Sequence, residues 1–473
     1  MRSFVILWRL KVPELQIDEI LKITEGDPFN FKGNESFSEF VFDTRSITKE
    51  NTLFFALSSD NGDGHKFIPD LKDHNGTAAV VNKDFDRSGI NIPLIVVNDT
   101  LKAVHQLAAN VRGKYRKIKY IGITGSAGKT TTKEFTAQIL SSKYKVFRSY
   151  KNWNNWIGLP FSMLNMKGDE DFAVFELAMS YPGIGEIDLL ADILRPDIAM
   201  ILNVFPVHME FLKSLRNVAK GKAEILNYLD SDGVSFISGD SEFIKEEVKE
   251  KKGRKIYFGM SEGGNDIVLR NIERDGEKSS FFIDFYGIEA RFETNLVNKV
   301  QIENLFSAII LSQCSGMKNF EILEAIKNLN TVSGRGEIDN IENFTIIDET
   351  YNSNPVALSK TLEWVDDEFN ESKVAVLGDM LELGEDEGRY HLEAGKLFSG
   401  LNYKMLITVG KRAEKLAEGA VEGGFSSEDI KIFETSDEAG EYIKNNIKEK
   451  TVLLFKASRS IRLENAIKKI KNG

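Results

Sequence analysis

The chain has 473 residues, of which 42% are hydrophobic and 28% charged, and its formal net charge is -11. One hydrophobic core seldom supports this length, so we expect two to four domains of about 100–200 residues in a soluble globular protein. The acidic balance argues against a surface that binds nucleic acid or anionic membranes non-specifically, because such a surface needs clustered lysines and arginines.

The first segment, MRSFVILWRLK, has an apolar run of only five residues between Arg2 and Arg9. That run is too short for a signal peptide or a membrane span, and no later stretch approaches the roughly 18 apolar residues that a span requires. We therefore expect a cytoplasmic protein without a membrane span. The roughly 13 residues before Leu15 form an N-terminal extension to which the sequence assigns no role.

Residues 1–115 show a mixed pattern. A helical stretch, LQIDEILKITEG, is followed by the short apolar strands TLFFAL and AAVVN and by turn clusters such as SSDNGDGH. This pattern predicts a small N-terminal α/β domain.

From residue 116 to about 330 short strands alternate with longer helices. The strands are KYIGIT, KVFRS, FAVFELA, IAMILNV and VSFIS, and the helices between them include TTTKEFTAQILSS and SLRNVAKGKAEILNYL. Such alternation predicts βαβ units on a mostly parallel sheet. Cys314, the only cysteine, excludes an intrachain disulfide and fits a reducing compartment. In the segment LFSAIILSQC we expect it to be a small buried side chain.

A polar stretch, SGRGEIDNIEN, interrupts the alternation near residue 331. A second series then gives the strands FTIID, KVAVLGD, KMLITVG, DIKIF and TVLLFKAS, with helices such as PVALSKTLEWV and RAEKLAEGAVE between them. Five strands in this arrangement predict a doubly wound C-terminal domain over residues 331–473. The predicted fold class is therefore α/β with three domains.

The most informative motif is ITGSAGKTTT, which starts at Ile123. It lacks the first glycine of the usual phosphate-binding loop, yet it lies between a predicted strand and a predicted helix, which is the context that such a loop requires. Gly125 and Gly128 would let backbone N–H groups approach an anion at the start of the helix. Lys129 could reach the phosphates, and the Thr130 hydroxyl could face Mg²⁺. A chance glycine turn is the alternative, and the sequence context favours a nucleotide site.

The shortened form TGxxGKT, from Thr124 to Thr130, is the form found in the Mur ligases. Further motifs agree in order: NWNNWIGLP, FELAMSYPGIGEI, RPDIAMILNVFPVHMEF, AKGKAEIL, SGRGE, IIDETYNSNP, VLGDMLELGE and KASRS. The chain thus resembles the Mur ligase superfamily over nearly its whole length. The resemblance implies an N-terminal domain for the UDP end of a sugar nucleotide, a central ATP-binding domain, and a Rossmann-like C-terminal domain that binds the amine substrate.

The resemblance also implies an activity in peptidoglycan precursor synthesis. It points to an ATP-dependent amide ligase that adds D-alanyl-D-alanine to UDP-N-acetylmuramoyl-tripeptide through an acyl phosphate, releases ADP and phosphate, and acts as a monomer. The N-x-N-N-x-I-G-x-P and G-D-M-x-E-L-G motifs favour this member. The alternatives are a ligase that adds a single amino acid, a folyl-polyglutamate synthase, a nucleotide-binding protein without ligase activity, and a phosphotransferase acting on a hydroxyl.

Particular residues follow from matching the motifs. The implied catalytic residues are Lys129, His208 and Lys222. The implied ATP-binding residues are Thr124, Gly125, Ser126, Ala127, Gly128, Lys129, Thr130, Thr131, Asn304, Arg335 and Asp348. The implied substrate-binding residues are Asp43, Thr44, Arg45, Ser46, Asn154, Asn155, Tyr351, Asn352, Asn354, Lys456, Ser458 and Arg459.

The resemblance further implies two Mg²⁺ ions. Their implied ligands are Thr130, Glu176, His208 and Lys222, the last as a carbamate formed with CO₂; Glu210 is a weaker candidate. Glu176 ends a predicted strand at the edge where parallel sheets bind ligands, and a carboxylate suits Mg²⁺ there. The chain departs from the family at 298–301, where NKVQ replaces G-x-H-N, and has Ser353 and Ala457 as small-for-small changes.

Overall fold

The fold is described from a computed structural model, which covers residues 14–59, 62–74, 77–179, 184–207 and 209–472. Three large sheets succeed one another along the chain. Each lies within one of the three predicted ranges, and the α/β class with three domains is confirmed. The boundaries at residues 115 and 330 stay a prediction.

The N-terminal region forms a five-stranded sheet flanked by helices. The strands of this region, which include those of two separate two-stranded sheets, are β1 Leu15–Gln16, β2 Asp27–Phe29, β3 Ser36–Phe37, β4 Glu39–Val41, β5 Thr52–Phe55, β6 Ser58–Ser59, β7 Gly62–Asp63, β8 Ala78–Asn82 and β9 Leu94–Val97. The helices are α1 Ile17–Thr24 and α2 Thr100–Lys114. The strand order is β2-β9-β8-β5-β4, and only β2 is antiparallel to its neighbour.

The central region is built on a nine-stranded sheet. Its strands are β10 Lys119–Thr124, β11 Val146–Arg148, β12 Phe172–Glu176, β13 Ile198–Ile201, β14 Val234–Ser238, β15 Arg254–Gly259, β16 Ile267–Asp275, β17 Lys278–Phe285 and β18 Ile288–Thr294. Its helices are α3 Lys129–Ser141, α4 Gly158–Leu164, α5 Glu186–Leu194, α6 Met209–Leu212, α7 Leu215–Ala223, α8 Glu242–Val248, α9 Lys299–Cys314 and α10 Asn319–Ala325. The order is β11-β12-β10-β13-β14-β15-β16-β17-β18, parallel as far as β16 and antiparallel from there to β18. The carboxyl ends of β10, β12 and β13 therefore share one edge.

The C-terminal region has a six-stranded sheet. Its strands are β19 Glu337–Ile341, β20 Phe344–Glu349, β21 Ser372–Gly378, β22 Met405–Val409, β23 Ile430–Phe433 and β24 Thr451–Lys456. Its helices are α11 Pro355–Glu368, α12 Glu387–Ser399, α13 Glu414–Glu422, α14 Ser436–Asn446 and α15 Glu464–Lys471. The order is β19-β20-β24-β21-β22-β23, with only β19 antiparallel.

Local sequence explains several of the helix starts. Asp99 accepts a hydrogen bond from Lys102 N and caps α2, and Asn354 accepts one from Ala357 N and caps α11. Pro355 then occupies the first turn of α11, where its missing N–H costs nothing. The start of α11 agrees with the helix that the segment PVALSKTLEWV predicts.

The N-terminal and central regions share one hydrophobic core, which contains residues from Leu15 to Val248. Phe42 packs on Trp153 and on Phe161, with ring centroids 5.7 and 4.8 Å apart. The amide of Asn165 also bonds both backbone groups of Phe40. The two regions are therefore held against each other, which fixes the segment that carries Asn154 and Asn155.

Two predictions differ from the structure. The polar stretch that was predicted only to interrupt the alternation contains β19, which pairs with β20 through a tight turn at Glu342 (φ 46°). As an edge strand it tolerates polar residues, because one side of it meets water. Cys314 is exposed and not buried, because it is the last residue of α9. No helix among the described residues is long and apolar enough to cross a bilayer.

Candidate active site

The loop Gly125–Gly128 leaves β10 and leads directly into α3. Gly128 caps the helix with φ 82°, and a Cβ at this position would overlap Asn304 Oδ1. Only glycine suits such a conformation and such a close approach. The helix start therefore presents unbonded N–H groups toward the open side of the loop, as an anion site requires.

Two residues hold the outer part of this loop. Asn203 Oδ1 accepts from Ala127 N (2.9 Å), and Asn203 Nδ2 donates to Ala127 O (3.2 Å). Ser126 exchanges two further hydrogen bonds with the backbone of Phe205. Asn203 was not among the predicted site residues; its place two residues after β13, at the edge shared with β10, is the signal that could have identified it.

Lys129 folds back over the loop, and its Nζ donates to Gly125 O at 2.7 Å. Burial lowers the pKa of Lys129 to about 8, the Glu176 carboxylate opposes the shift, and the Arg335 guanidinium adds to it. Lys222, on α7, is only 2% exposed. Burial first, and then the charge of Lys129, lowers the pKa of Lys222 well below its ordinary value. The Nζ atom of Lys222 makes no hydrogen bond or ion pair with any residue that the structure describes.

Glu176 ends β12 and is completely buried. Its Oε2 accepts from the Thr130 hydroxyl at 2.7 Å, and its Oε1 accepts from Asn154 Nδ2 at 2.9 Å. The structure thus brings together two predicted Mg²⁺ ligands and a predicted substrate residue. Among the described residues no three His, Cys, Asp or Glu side chains form a cluster that could hold a metal ion by itself.

Arg335 connects the central and C-terminal regions. Its guanidinium donates to Thr130 Oγ1 at 3.1 Å and lies over the Tyr351 ring at 3.9 Å from the centroid. Gln301, at the start of α9, donates from Nε2 to the backbone carbonyls of Arg335 (2.7 Å) and Gly336 (3.1 Å). Gln301 belongs to the stretch that departs from G-x-H-N, and that departure was the only signal in the sequence for its role.

The two other predicted ATP-binding residues, Asn304 and Asp348, differ in their position relative to the cleft. Asn304 faces Gly128 and accepts from Thr132 Oγ1 at 3.4 Å. Asp348 accepts from the Thr350 N–H and hydroxyl, and burial raises its pKa. The neighbouring Glu349 lines the cleft and Asp348 does not, so a ribose contact by Asp348 stays a prediction.

The C-terminal side of the cleft combines buried anchors with exposed tips. Lys456 is buried and donates to Glu349 Oε2 at 3.1 Å, and the Ser458 hydroxyl accepts from Leu381 N at 2.9 Å. The Arg459 side chain is 62% exposed and pairs with Glu464 at 3.1 Å. This side therefore offers donors whose outer groups remain open to solvent.

These elements enclose a cleft of about 620 Å³ between the central and C-terminal regions. The predicted residues that line it are Ser126, Ala127, Gly128, Lys129, Thr130, Thr131, Asn154, Asn155, Asn304, Arg335, Tyr351, Asn352, Asn354, Lys456, Ser458 and Arg459. Other lining residues were not predicted, among them Asn152, Val300, Gln301, Leu381, Glu382 and Leu383.

Some predicted residues lie elsewhere. Asp43, Thr44, Arg45 and Ser46 form a 3-10 turn in the N-terminal region and do not line the cleft; Arg45 and Asp43 pair at 2.7 Å. Glu210 is an exposed residue of α6. His208 lies outside the described residues, so its role as a metal ligand stays a prediction.

The charges at the bottom of the cleft favour an anion. Lys129 interacts there with one carboxylate, that of Glu176, and with two further basic side chains, those of Arg335 and Lys222. Together with a glycine loop and a helix start, this excess of positive charge suits a polyphosphate.

Comparisons with known proteins agree with this arrangement. Residues 123–312 match the family described as Mur ligase middle domain, and residues 334–459 match Mur ligase, glutamate ligase domain. The UDP-N-acetylmuramoyl-tripeptide--D-alanyl-D-alanine ligase of Bacillus subtilis is 33% identical over 432 residues, which is 90% of this chain and 91% of that protein. The protein of the same name from Haemophilus influenzae is 30% identical over 98% of this chain and 99% of its own.

Solved structures resemble the whole fold. A crystal structure titled MurF from Acinetobacter baumannii has a TM-score of 0.87 at 25% identity and covers 98% of this chain and 100% of its own. The MurF ligase of Thermotoga maritima, solved in complex with ADP, has a TM-score of 0.79 at 26% identity and covers 92% of this chain and 97% of its own. This chain belongs to the Mur ligase family, among the relatives that carry the name UDP-N-acetylmuramoyl-tripeptide--D-alanyl-D-alanine ligase.

Proposed function

We propose that the chain joins D-alanyl-D-alanine to UDP-N-acetylmuramoyl-tripeptide in peptidoglycan precursor synthesis and consumes ATP. The observation that carries the proposal is the cleft itself, in which a phosphate loop and a set of open donors face each other and Arg335 connects the two sides. The names of relatives that align over nine-tenths of the chain support this choice of substrates.

The chemistry has two steps. A carboxylate oxygen of the tripeptide attacks the γ-phosphorus of ATP, the bond to ADP breaks, and an acyl phosphate forms. The amine nitrogen of the dipeptide then attacks the acyl carbon, the C–O bond to phosphate breaks, and the amine loses a proton as the amide forms. The protein must hold two anions together and stabilise the transferring phosphoryl group, which requires fixed positive charge.

Residues of the central region would hold the nucleotide. The loop amides, Lys129 and Arg335 would neutralise the phosphates, because they are positioned before the ligand arrives and lie in a partly dehydrated site. Asn304, next to Gly128 on the neighbouring helix, would contact the base. The Asn154 side chain would orient the carboxylate end of the tripeptide beside Glu176.

The oxygen donors fit Mg²⁺. The Glu176 carboxylate and the Thr130 hydroxyl lie in hydrogen-bond contact, and His208 is the further predicted ligand. When bound, Mg²⁺ would supply positive charge that offsets the charge on the phosphate oxygens. A hard cation shared between one or two protein oxygens and phosphate is the usual arrangement for this metal.

Lys222 is a candidate for carbamylation. Its amine is buried, has no hydrogen-bond partner among the described residues, and has a lowered pKa, so the neutral form that reacts with CO₂ is accessible. Addition of CO₂ to the amine gives a carbamate and releases a proton, which converts the side chain into an anion. A ¹³C resonance after equilibration with labelled bicarbonate, absent in Lys222→Ala, would support the modification. Its absence from the wild type would refute it.

The remaining predicted residues would bind the dipeptide amine and the sugar nucleotide. Tyr351, Asn352 and Arg459 line the C-terminal side, where an incoming dipeptide would meet the acyl phosphate. The turn Thr44–Ser46 with its Asp43–Arg45 pair would contact the uridine diphosphate part on the N-terminal domain.

The test is phosphate release from ATP in the presence of Mg²⁺ and UDP-N-acetylmuramoyl-tripeptide, with and without D-alanyl-D-alanine, with product masses recorded. We expect release only when both substrates are present, and a product that contains the dipeptide. Equal release with single amino acids or with a folate in place of these substrates would contradict the assignment within the family.

A further inference from the structure

Lys133 is a fully buried lysine that the proposed mechanism leaves without a role. It lies on α3, one helical turn after Thr130, and its side chain has no solvent exposure. A buried ammonium is costly unless it is paired and fully hydrogen-bonded. Such a residue in the helix that follows the phosphate loop therefore calls for a specific reason.

The ammonium of Lys133 holds a segment of backbone. Nζ donates to the carbonyl of Ser149 at 2.8 Å and to the carbonyl of Lys151 at 2.6 Å, and Glu134 Oε1 lies 3.1 Å away as its counter-charge. Lys151 has a left-handed backbone with φ 45°, which is unfavourable for a residue with a side chain. The two hydrogen bonds offset that cost and fix the backbone on both sides of Tyr150.

The held segment leads directly to Asn154. A turn closes from Trp153 N to Tyr150 O at 2.9 Å, and Asn154 then donates to Glu176, which accepts from Thr130. The contacts form a closed ring that starts and ends on α3. Lys133 supports one side of this ring, and Thr130 the other.

We propose that Lys133 is a positioning residue that places Asn154, and through it the Glu176 carboxylate, for the reaction. It touches neither nucleotide nor substrate but fixes the conformation of residues 149–154. The proposal rests on the proposed function, because Glu176 matters only if it acts on the phosphate chemistry.

The test is a double-mutant cycle on kcat with Lys133→Met and Asn154→Ala. We expect Lys133→Met to lower kcat about tenfold to a hundredfold, the range for a misplaced catalytic group, with the KM for ATP changed less than about twofold. If Lys133 acts through Asn154, the double variant should lose no more than the worse single variant. Multiplied losses would overturn the proposal.

A second measurement needs no substrate. Hydrogen exchange of residues 149–157 should become about fivefold faster or more in Lys133→Met, while exchange within α3 stays unchanged. Unchanged exchange in 149–157, or a general increase over the whole central region, would contradict a positioning role. Lys143→Met removes an exposed lysine that follows the same helix and pairs with Glu321, and we expect it to match the wild type in both measurements.

Two points keep the result interpretable. If Lys133→Met does not fold, Lys133→Gln can still donate to one carbonyl and gives the same cycle with a smaller loss. Wild-type turnover with both substrates tests the proposed function separately. A failed cycle in an active enzyme therefore rejects only the role of Lys133.

Discussion

The two sides of the cleft are built differently. On the central side Glu176 and Thr130 are buried, and other protein groups fix the site: Glu176 has two donors, and Asn203 holds the phosphate loop. On the C-terminal side Lys456 and Ser458 are buried anchors, but Arg459 is mostly exposed.

This contrast follows from what each side has to do. Groups that stabilise a transferring phosphoryl group must be in place before the reaction, because the free energy needed to reorganise them would cancel the stabilisation that they provide. Groups that receive an incoming amine can be completed by the substrate when it binds. We therefore expect changes on the central side to lower kcat most, and changes on the C-terminal side to alter substrate affinity.

The largest effect should come from Lys129→Met. Removing the cation that we propose to bind the phosphates should reduce turnover about a thousandfold, the upper range for one preorganised electrostatic group. Steady-state phosphate release with both substrates measures it, and circular dichroism checks the fold. If the variant kept more than a tenth of the activity, catalysis would not depend on the positive charge that Lys129 supplies on the central side.

Arg335→Lys should have the next largest effect. Lysine keeps the charge but cannot both bond Thr130 and stack on Tyr351, so we expect kcat/KM for ATP to fall about tenfold to a hundredfold. Tyr351→Leu tests the stacking part and should give a smaller loss. A fully active Arg335→Lys enzyme would show that the link between the two sides needs only charge.

The C-terminal side should show its own dependence of stability on pH. Burial lowers the pKa of His391, whose Nε2 accepts from Met380 N and whose Nδ1 bonds the Glu387 carbonyl. The unfolded chain therefore binds a proton at higher pH than the folded chain, and stability should fall as pH drops below about 6.5. We expect the melting temperature to fall about 3 °C per unit from pH 6.5 toward 5.

The matched control for that prediction is His391→Gln, which cannot titrate in this range. It should melt at a lower temperature at pH 7.5 and show a flatter profile below pH 6.5. Parallel profiles for both proteins would assign the acid sensitivity to other groups.

The smallest effect should come from the ion pair between α9 and α11. Lys360 Nζ lies 2.7 Å from Glu303 Oε2, and both side chains are partly exposed, so the pair is worth about 0–1 kcal/mol. Lys360→Met should lower kcat/KM about threefold or less, and the difference should shrink at high salt. Glu303→Gln, which changes the other partner of the ion pair, should lower kcat/KM to a similar extent. A loss above tenfold would show that turnover depends on this contact.

Much of the fold could be predicted because its signals are local. Alternating short apolar strands and helices indicated the two α/β regions, and the glycines and lysine of the phosphate loop indicated an anion site. The edge strand β19 was missed, because its polar residues carry no periodic signal and its strand conformation depends on pairing with β20. Cys314 was wrongly expected to be buried, because its exposure depends on where α9 ends.

The sequence alone determined the class of the protein, the position of its phosphate loop and most of the residues that line its cleft. Only the tertiary structure decided which of them act together. Arg335 reaches Thr130 across 205 positions of the chain, Gln301 holds the carbonyl of Arg335, and Lys133 holds the backbone that presents Asn154. These partners are determined by how separate elements of the chain pack against one another. A buried polar group requires a hydrogen-bond partner, but the sequence does not specify which residue supplies it.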